Sequence, residues 1–309
     1  MVRKNKAYKM KKIFVTREII PDGIELLRSK GFQVDVSIKK TALTAAELSA
    51  AAKNVDGLIC TMADSINKVF LQENSHLKII TNYAVGLNNI DLIAAKDQGI
   101  KIGNTPDVLT EATAEIALGL MICASRNFRH GMQNAEKGEW MGFEPQGFLG
   151  PALKGKTLGV IGMGRIGQRL AEMANGAFQM KIKGFKRGDD LIEFLKDLDV
   201  LSLHIPLTPE TKHFIGKKEL AAMKKSAILV NTARGEVVDQ EALYEALKNR
   251  ELFAAGLDVT SPEPLPPTDK LYALTNVIIT PHIGSATFEA RREMSLLSAK
   301  NILEAFGIN

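Results

Sequence analysis

Thr157-Leu-Gly-Val-Ile-Gly-Met-Gly-Arg-Ile-Gly-Gln168 is the stretch that decides how this chain folds. An apolar run from Leu158 to Ile161 ends at Gly162, and Gly162, Gly164 and Gly167 then follow at G-x-G-x-x-G spacing. Behind them, Gln168-Arg-Leu-Ala-Glu-Met-Ala174 has the spacing of an amphipathic helix. The same glycine spacing also occurs in turns that bind nothing. A strand before it and a helix after it are what make it a dinucleotide-binding turn. Gly162 permits the tight turn, Gly164 leaves bare backbone for a pyrophosphate, and Gly167 lets helix and strand approach closely. The free N–H groups at the helix start, including those of Arg165 and Ile166, favour phosphate oxygens.

Working outward, the same strand–helix rhythm continues to the end of the chain. Strands are expected at 180–185, 200–205, 227–231, 254–258 and 277–280, with helices near 189–197, 217–223, 239–249 and 286–306. Ser261-Pro-Glu-Pro-Leu-Pro-Pro267 is too rich in proline for a helix or central strand and reads as a rigid loop. Upstream, strands are expected at 12–15, 32–36, 57–60, 77–81 and 100–102, separated by helices near 22–30, 44–53, 66–73 and 89–98. Thr44 and Glu47 have the spacing of a capping box. Asn104-Thr-Pro-Asp107 breaks this first series, a long helix follows from Thr110 to about 126, and a more polar one spans 127–138. Residues 139–156 read as a long loop. The fold class is therefore α/β, with two doubly wound parallel-sheet domains of which only the second carries a glycine fingerprint.

Composition narrows the function classes. The 309 residues are 45% hydrophobic and 24% charged, as in an ordinary soluble protein of about two domains. No apolar run approaches the roughly 20 residues of a membrane span, so no membrane partner is expected. The basic N-terminus, Met1 to Lys12, lacks the apolar core of a secretory signal and reads as a solvated tail. Cys60 and Cys123 have neither metal-type nor disulfide spacing, which suits a reducing cytoplasmic setting. A net charge of +5 favours small anions, but makes no case for nucleic acid without a clustered patch. No metal site is expected.

In open parallel sheets, ligands sit beyond the carboxyl ends of the strands. Three strand ends of the second half deliver Thr232-Ala-Arg-Gly-Glu236, Val259-Thr-Ser-Pro-Glu-Pro264 and Pro281-His-Ile-Gly-Ser285. One arginine, one carboxylate and one histidine thus converge on one rim. Arg234 suits a clamp on a substrate carboxylate through its planar fork. His282 suits protonation of a carbonyl oxygen while hydride reaches its carbon. Glu263 suits a hydrogen bond that fixes the imidazole tautomer. Singly, each has a structural alternative: a strand cap, a solvated loop charge and a buried hydrogen-bonder.

Five ordered motifs, from residue 104 to residue 287, together resemble the D-isomer-specific 2-hydroxyacid dehydrogenases. They are Asn104-Thr-Pro-Asp-Val-Leu-Thr-x-Ala-Thr-Ala-Glu115, the Gly162–Gly167 turn, Asn231-Thr-Ala-Arg-Gly-Glu-Val-Val-Asp239, Gly256-Leu-Asp-Val-Thr-Ser-Pro-Glu-Pro-Leu-Pro266 and Pro281-His-Ile-Gly-Ser-Ala-Thr287. The last two resemble the glyoxylate/hydroxypyruvate reductase branch. The resemblance implies that Arg234, Glu263 and His282 are the catalytic trio, and that Ala84, Val85 and Gly86 receive the substrate carboxylate. It places Thr113, Thr232, Ala233, Asp258, His282 and Gly284 among the cofactor contacts. It implies a flavodoxin-like substrate domain of residues 1–103 and 284–309, and a Rossmann nucleotide domain of residues 104–283. It also implies a homodimer, in which Trp140 reaches toward the partner's site; the alternative for Trp140 is the core of its loop.

Two departures follow. An acidic residue about 20 positions beyond the glycines ordinarily receives the ribose hydroxyls, whereas this chain reads Lys183-Gly-Phe-Lys-Arg-Gly-Asp189. Lys186 and Arg187 suit a 2′-phosphate, so NADP is expected over NAD, with a pair of solvated surface charges as the alternative. The chain also reaches its next strand about a dozen residues sooner than its family implies. Lys183–Arg187 then either ends the cofactor-facing strand or is a remnant of the segment beyond it. The expected activity is reduction of small 2-oxoacids, glyoxylate and hydroxypyruvate foremost. The alternatives are a catalytically weak nucleotide sensor of the same fold and a relative acting on another 2-hydroxyacid.

Overall fold

A computed structural model describes residues 10–308. The first nine residues of the basic tail lie outside them. By their contacts the residues fall into two units, Met1–Leu109 with Thr287–Asn309, and Thr110–Ala286. These boundaries lie a few residues beyond the 103/104 and 283/284 divisions expected from the resemblance.

The first unit holds strands β1 (Lys12–Val15), β2 (Gln33–Val36), β3 (Gly57–Cys60), β4 (Ile79–Asn82) and β5 (Lys101–Gly103). All pair in parallel, in the order β2-β1-β3-β4-β5. That is the flavodoxin-like order, with the chain reversing direction across the sheet between β1 and β3. Helices α1 (Asp22–Ser29), α2 (Ala45–Ala52), α3 (Lys68–Glu73) and α4 (Leu92–Asp97) connect them. The starts of α2, α3 and α4 are set by side chains that satisfy orphan N–H groups. Thr44 and Glu47 form the reciprocal capping box, and Asn67 and Asp91 cap α3 and α4. Asn67 therefore moves the start of α3 to Lys68, two residues later than the apolar pattern indicates. Leu48, Phe70, Leu71 and Ala94 bring α2, α3 and α4 onto one apolar core.

The second unit holds α5 (Thr110–Ser125), α6 (Phe128–Glu136), β6 (Thr157–Ile161), α7 (Arg165–Phe178), β7 (Lys181–Phe185), α8 (Leu191–Leu195), β8 (Val200–Leu203), α9 (Lys217–Ala222), β9 (Ile228–Asn231), α10 (Gln240–Lys248), β10 (Ala254–Leu257) and β11 (Val277–Ile279). The final helix, α11 (Phe288–Ala305), belongs to the first unit, where Gly23 of α1 meets it. A Cβ at Gly23 would lie 2.0 Å from the Ser295 carbonyl oxygen, so only glycine allows that approach. Two 3-10 turns, Gly235–Val237 and Lys270–Ala273, carry no apolar periodicity and are not visible in the sequence pattern.

The second sheet is parallel throughout, in the order β11-β10-β9-β8-β6-β7. Its strands β8, β9 and β10 are buried along their whole length, as expected where helices cover both faces. Helices α5 and α7 pack on one face through Ala117, Leu120, Leu170 and Ala174. Phe194, Leu220 and Leu243 bring α8, α9 and α10 onto the other. Strand β8 stops at Leu203, short of the expected 205, ahead of Pro206. Strand β7 pairs along its whole length with β6, Thr157 beside Lys181 through Ile161 beside Phe185. It is thus the strand next to the glycine turn, and it forms the sheet edge. Lys183–Phe185 thus belong to the edge strand beside the glycine turn, and Lys186 and Arg187 follow its end.

Candidate active site

The glycine turn sits at the reversal between β6 and β8, where an open α/β sheet leaves a crevice. Gly162 has φ +99°, and a Cβ there would lie 2.6 Å from the His204 carbonyl group at the end of β8. A Cβ at Gly167 would lie 2.2 Å from the Gly162 carbonyl oxygen, so helix and turn meet backbone to backbone. Gly164, the N-cap of α7, faces open space with no atom within 4 Å of a built Cβ. Bare backbone, open space and a 14-residue helix pointing its N-terminus at them fit a dinucleotide pyrophosphate. Ile166 packs its side chain into the helix–sheet core, so only its backbone faces the turn.

The chemical residues lie on the ends of β9, β10 and β11. After β9, Asn231 accepts from Ala233 N at 3.0 Å and donates from Nδ2 to the Arg234 carbonyl at 2.8 Å. That side chain braces the turn Thr232–Arg234. Gly235 then lets this turn touch the next strand end, since a Cβ there would lie 2.0 Å from the Thr260 carbonyl oxygen. This contact brings the Arg234 loop against the loop that carries Glu263. Glu263 Oε1 lies 2.5 Å from His282 Nδ1. The pair is partly shielded, the histidine side chain being 23% exposed and the glutamate 41%. Burial pulls the Arg234 guanidinium below its ordinary value, and the nearby Glu263 and Glu236 carboxylates oppose that shift.

Asp258, 2% exposed at the end of β10, positions the histidine loop. Its Oδ1 accepts from Ile283 N at 2.8 Å and from the Thr280 hydroxyl at 2.7 Å, and its Oδ2 accepts from Gly284 N at 2.8 Å. Its carbonyl also accepts from His282 N at 3.0 Å. Thr113, on the first turn of α5, lies beside Gly284, its Cγ2 3.4 Å from a Cβ built there. Thr232 and Ala233 occupy the β9 turn, with the Thr232 hydroxyl 3.5 Å from His204 Nδ1. Ser202 Oγ lies 2.9 Å from the other ring nitrogen of His204, and burial brings this histidine down to about 4. His204 is a residue that sequence reasoning passes over, because a lone histidine at a strand end carries no motif.

Lys186 and Arg187 follow β7 directly and are exposed. Lys186 N donates to Asp189 Oδ2 at 2.9 Å, closing a turn through Gly188. Arg187 is near enough to Glu210 to help lower its carboxyl, after the larger effects of the Thr208 hydroxyl and the local backbone. In the first unit, Ala84, Val85 and Gly86 form the turn beyond β4. Trp140 lies in the loop after α6 and is 69% exposed, which excludes the loop-core alternative. Its indole donates to the nearby Gly142 carbonyl, at 2.9 Å.

A parallel sheet with a pyrophosphate cradle at its reversal point, and an arginine with a histidine–carboxylate pair on neighbouring strand ends, defines the class as a nicotinamide-dependent dehydrogenase. Comparison with known proteins agrees. Residues 118–284 match the model of the D-isomer specific 2-hydroxyacid dehydrogenase, NAD binding domain. The chain is 43% identical to a glyoxylate reductase of Thermococcus litoralis, over 94% of this chain and 92% of the relative. Among solved structures, the TT0316 protein of Thermus thermophilus is 43% identical with a TM-score of 0.89, covering 96% of this chain and 97% of that one. An NADPH-dependent glyoxylate/hydroxypyruvate reductase of Sinorhizobium meliloti, in complex with NADP and malonate, is 30% identical with a TM-score of 0.82, covering 96% and 94%. This chain belongs to the D-isomer specific 2-hydroxyacid dehydrogenase family, and it is a 2-oxoacid reductase that uses a nicotinamide cofactor.

Proposed function

We propose that this enzyme reduces glyoxylate and hydroxypyruvate, with NADPH preferred to NADH, and that Arg234, Glu263 and His282 carry the reaction. The observation that supports it most is the 2.5 Å contact between Glu263 Oε1 and His282 Nδ1. With Nδ1 held by the carboxylate, Nε2 is the nitrogen left to face a substrate. When bound, the nicotinamide supplies a hydride to C2 of the 2-oxoacid. His282 passes its Nε2 proton to the carbonyl oxygen, giving the 2-hydroxyacid, and Glu263 stabilises the protonated ring that precedes transfer. Arg234 holds the carboxylate that makes the substrate a 2-oxoacid. In the first unit, Ala84, Val85 and Gly86 form a turn whose backbone N–H groups suit a substrate carboxylate.

The cofactor is held, in this reading, by the Gly162–Gly167 turn with Arg165 and Ile166, and by Thr113, Thr232, Ala233, Asp258 and Gly284. Lys186 and Arg187 favour a 2′-phosphate, and the Sinorhizobium relative binds NADP. The enzyme works as a homodimer. Phe128, Met132, Trp140, Met141, Phe143 and Leu149 are all exposed between residues 128 and 149, a density of apolar surface that suits a protein interface. Its compartment is reducing and cytoplasmic, in keeping with free Cys60 and Cys123.

Substitution of His282 tests the reading. His282→Gln lowers kcat for glyoxylate by about 10² to 10⁴, the usual weight of a general acid, and leaves the NADPH dissociation constant within about twofold. Steady-state rates and a fluorescence titration measure the two. An unchanged kcat removes His282 from proton transfer.

A further inference from the structure

The turn after β4 has each of its carbonyl groups taken up by the first unit. The Ala84 carbonyl accepts from Thr105 N at 2.9 Å, and the Val85 carbonyl accepts from Asn104 Nδ2 at 2.9 Å. The Gly86 carbonyl accepts from Asn82 Nδ2 at 2.7 Å. In a trans peptide the carbonyl and the following N–H point in opposite directions. Holding the Ala84 carbonyl therefore aims the Val85 N–H away from Thr105, and holding the Val85 carbonyl aims the Gly86 N–H away from Asn104. Among the described residues, no hydrogen bond is formed by the N–H of Val85 or of Gly86. Successive N–H groups presented in this way make a concavity for an anion.

The two asparagines are themselves fixed. Asn82 is fully buried at the end of β4, and its Nδ2 also donates to Asn89 Oδ1 at 3.0 Å. Asn89 Nδ2 in turn donates to the carbonyls of Thr61 and Asp64 at 3.1 and 3.0 Å. The Asn104 carbonyl accepts from Asn301 Nδ2 of α11 at 2.9 Å. The Asn82 side-chain amide and the Asn104 backbone are thus both anchored within the first unit.

We infer that Asn104 is a positioning residue for the substrate carboxylate: it holds the Val85 carbonyl so that the following backbone N–H, that of Gly86, faces the 2-oxoacid. The inference rests on the reading of this turn as a carboxylate receiver. Asn104 does not touch the reacting atoms. Its effect falls on substrate affinity, not on proton or hydride transfer.

The test uses the full chain with NADPH. Asn104→Ala raises KM for glyoxylate about fivefold, the factor set by one net hydrogen bond of about 1 kcal/mol. It raises the inhibition constant of oxamate in the same proportion, and leaves kcat and the NADPH dissociation constant within about twofold. The kcat/KM for methylglyoxal, which has no carboxylate, changes by less than about twofold, whereas a loss of general structure lowers both substrates together. Asn104 is only partly buried, and thermal melting checks that Asn104→Ala stays folded. Unchanged KM and oxamate inhibition in folded Asn104→Ala, or an equal loss with methylglyoxal, overturns the inference and leaves the proposed function standing. An unaltered chain that reduces no 2-oxoacid overturns the proposed function itself.

Discussion

His282 stands in the left-handed backbone region, with φ +54°, which a residue with a Cβ seldom occupies without support. The support is Asp258, whose carboxylate grips Ile283 and Gly284 and whose carbonyl takes the His282 N–H. The strained residue is the proposed acid, and the brace is a carboxylate from a different strand. His204 shows a second constraint at this scale. Burial lowers it to about 4, against 6.5 for an ordinary histidine. The unfolded chain then binds a proton at higher pH than the folded one. The stability contributed by the neutral ring is complete above about pH 6.5 and is lost as pH falls toward about 4, by at most about 3 kcal/mol. His204→Asn therefore flattens the fall in stability between about pH 7 and about pH 4.5, read from urea unfolding midpoints of the two proteins. Parallel curves for variant and unaltered protein contradict the assignment.

Among the elements, β7 is the one on which the proposed cofactor preference rests. As an edge strand it ends in Lys186 and Arg187, both exposed, and the turn after it is closed by Asp189. Lys186→Glu with Arg187→Glu replaces two cations by two anions at the proposed 2′-phosphate site. The NADPH dissociation constant then rises by on the order of a hundredfold or more, with NADH changed by less than about threefold. Paired titrations measure this, and an equal effect on both cofactors places the cations outside the ribose contact. The existence of β7 is legible from Met180 to Phe185 as an apolar-rich run. Its edge position is not, because composition does not distinguish an edge strand from an inner one in so short a segment. The strand ends that deliver Arg234, Glu263 and His282 are legible because each follows a fully apolar run. The closeness of two of them is not, since it depends on Gly235 meeting Thr260, residues far apart in sequence whose contact no periodicity announces.

At the scale of the molecule, two parallel α/β units divide the work. The second unit holds the glycine turn, the arginine and the histidine–glutamate pair; the first holds the turn whose Val85 carbonyl accepts from Asn104. The return of the last helix to the first unit follows from the family resemblance rather than from any local pattern in 286–306. Its physical basis is the glycine at position 23, which admits the Ser295 backbone. Strand β7 is the sheet edge, and the cradle that it flanks keeps the glycine geometry a pyrophosphate needs. An intact cradle in the same unit as the proposed catalytic trio favours an active enzyme over a sensor of the same fold. The most direct test is the initial loss of NADPH and NADH absorbance by the purified chain offered glyoxylate, hydroxypyruvate and pyruvate. Turnover of glyoxylate and hydroxypyruvate, faster with NADPH than with NADH at limiting cofactor, is the expected result; no turnover with any pairing contradicts it.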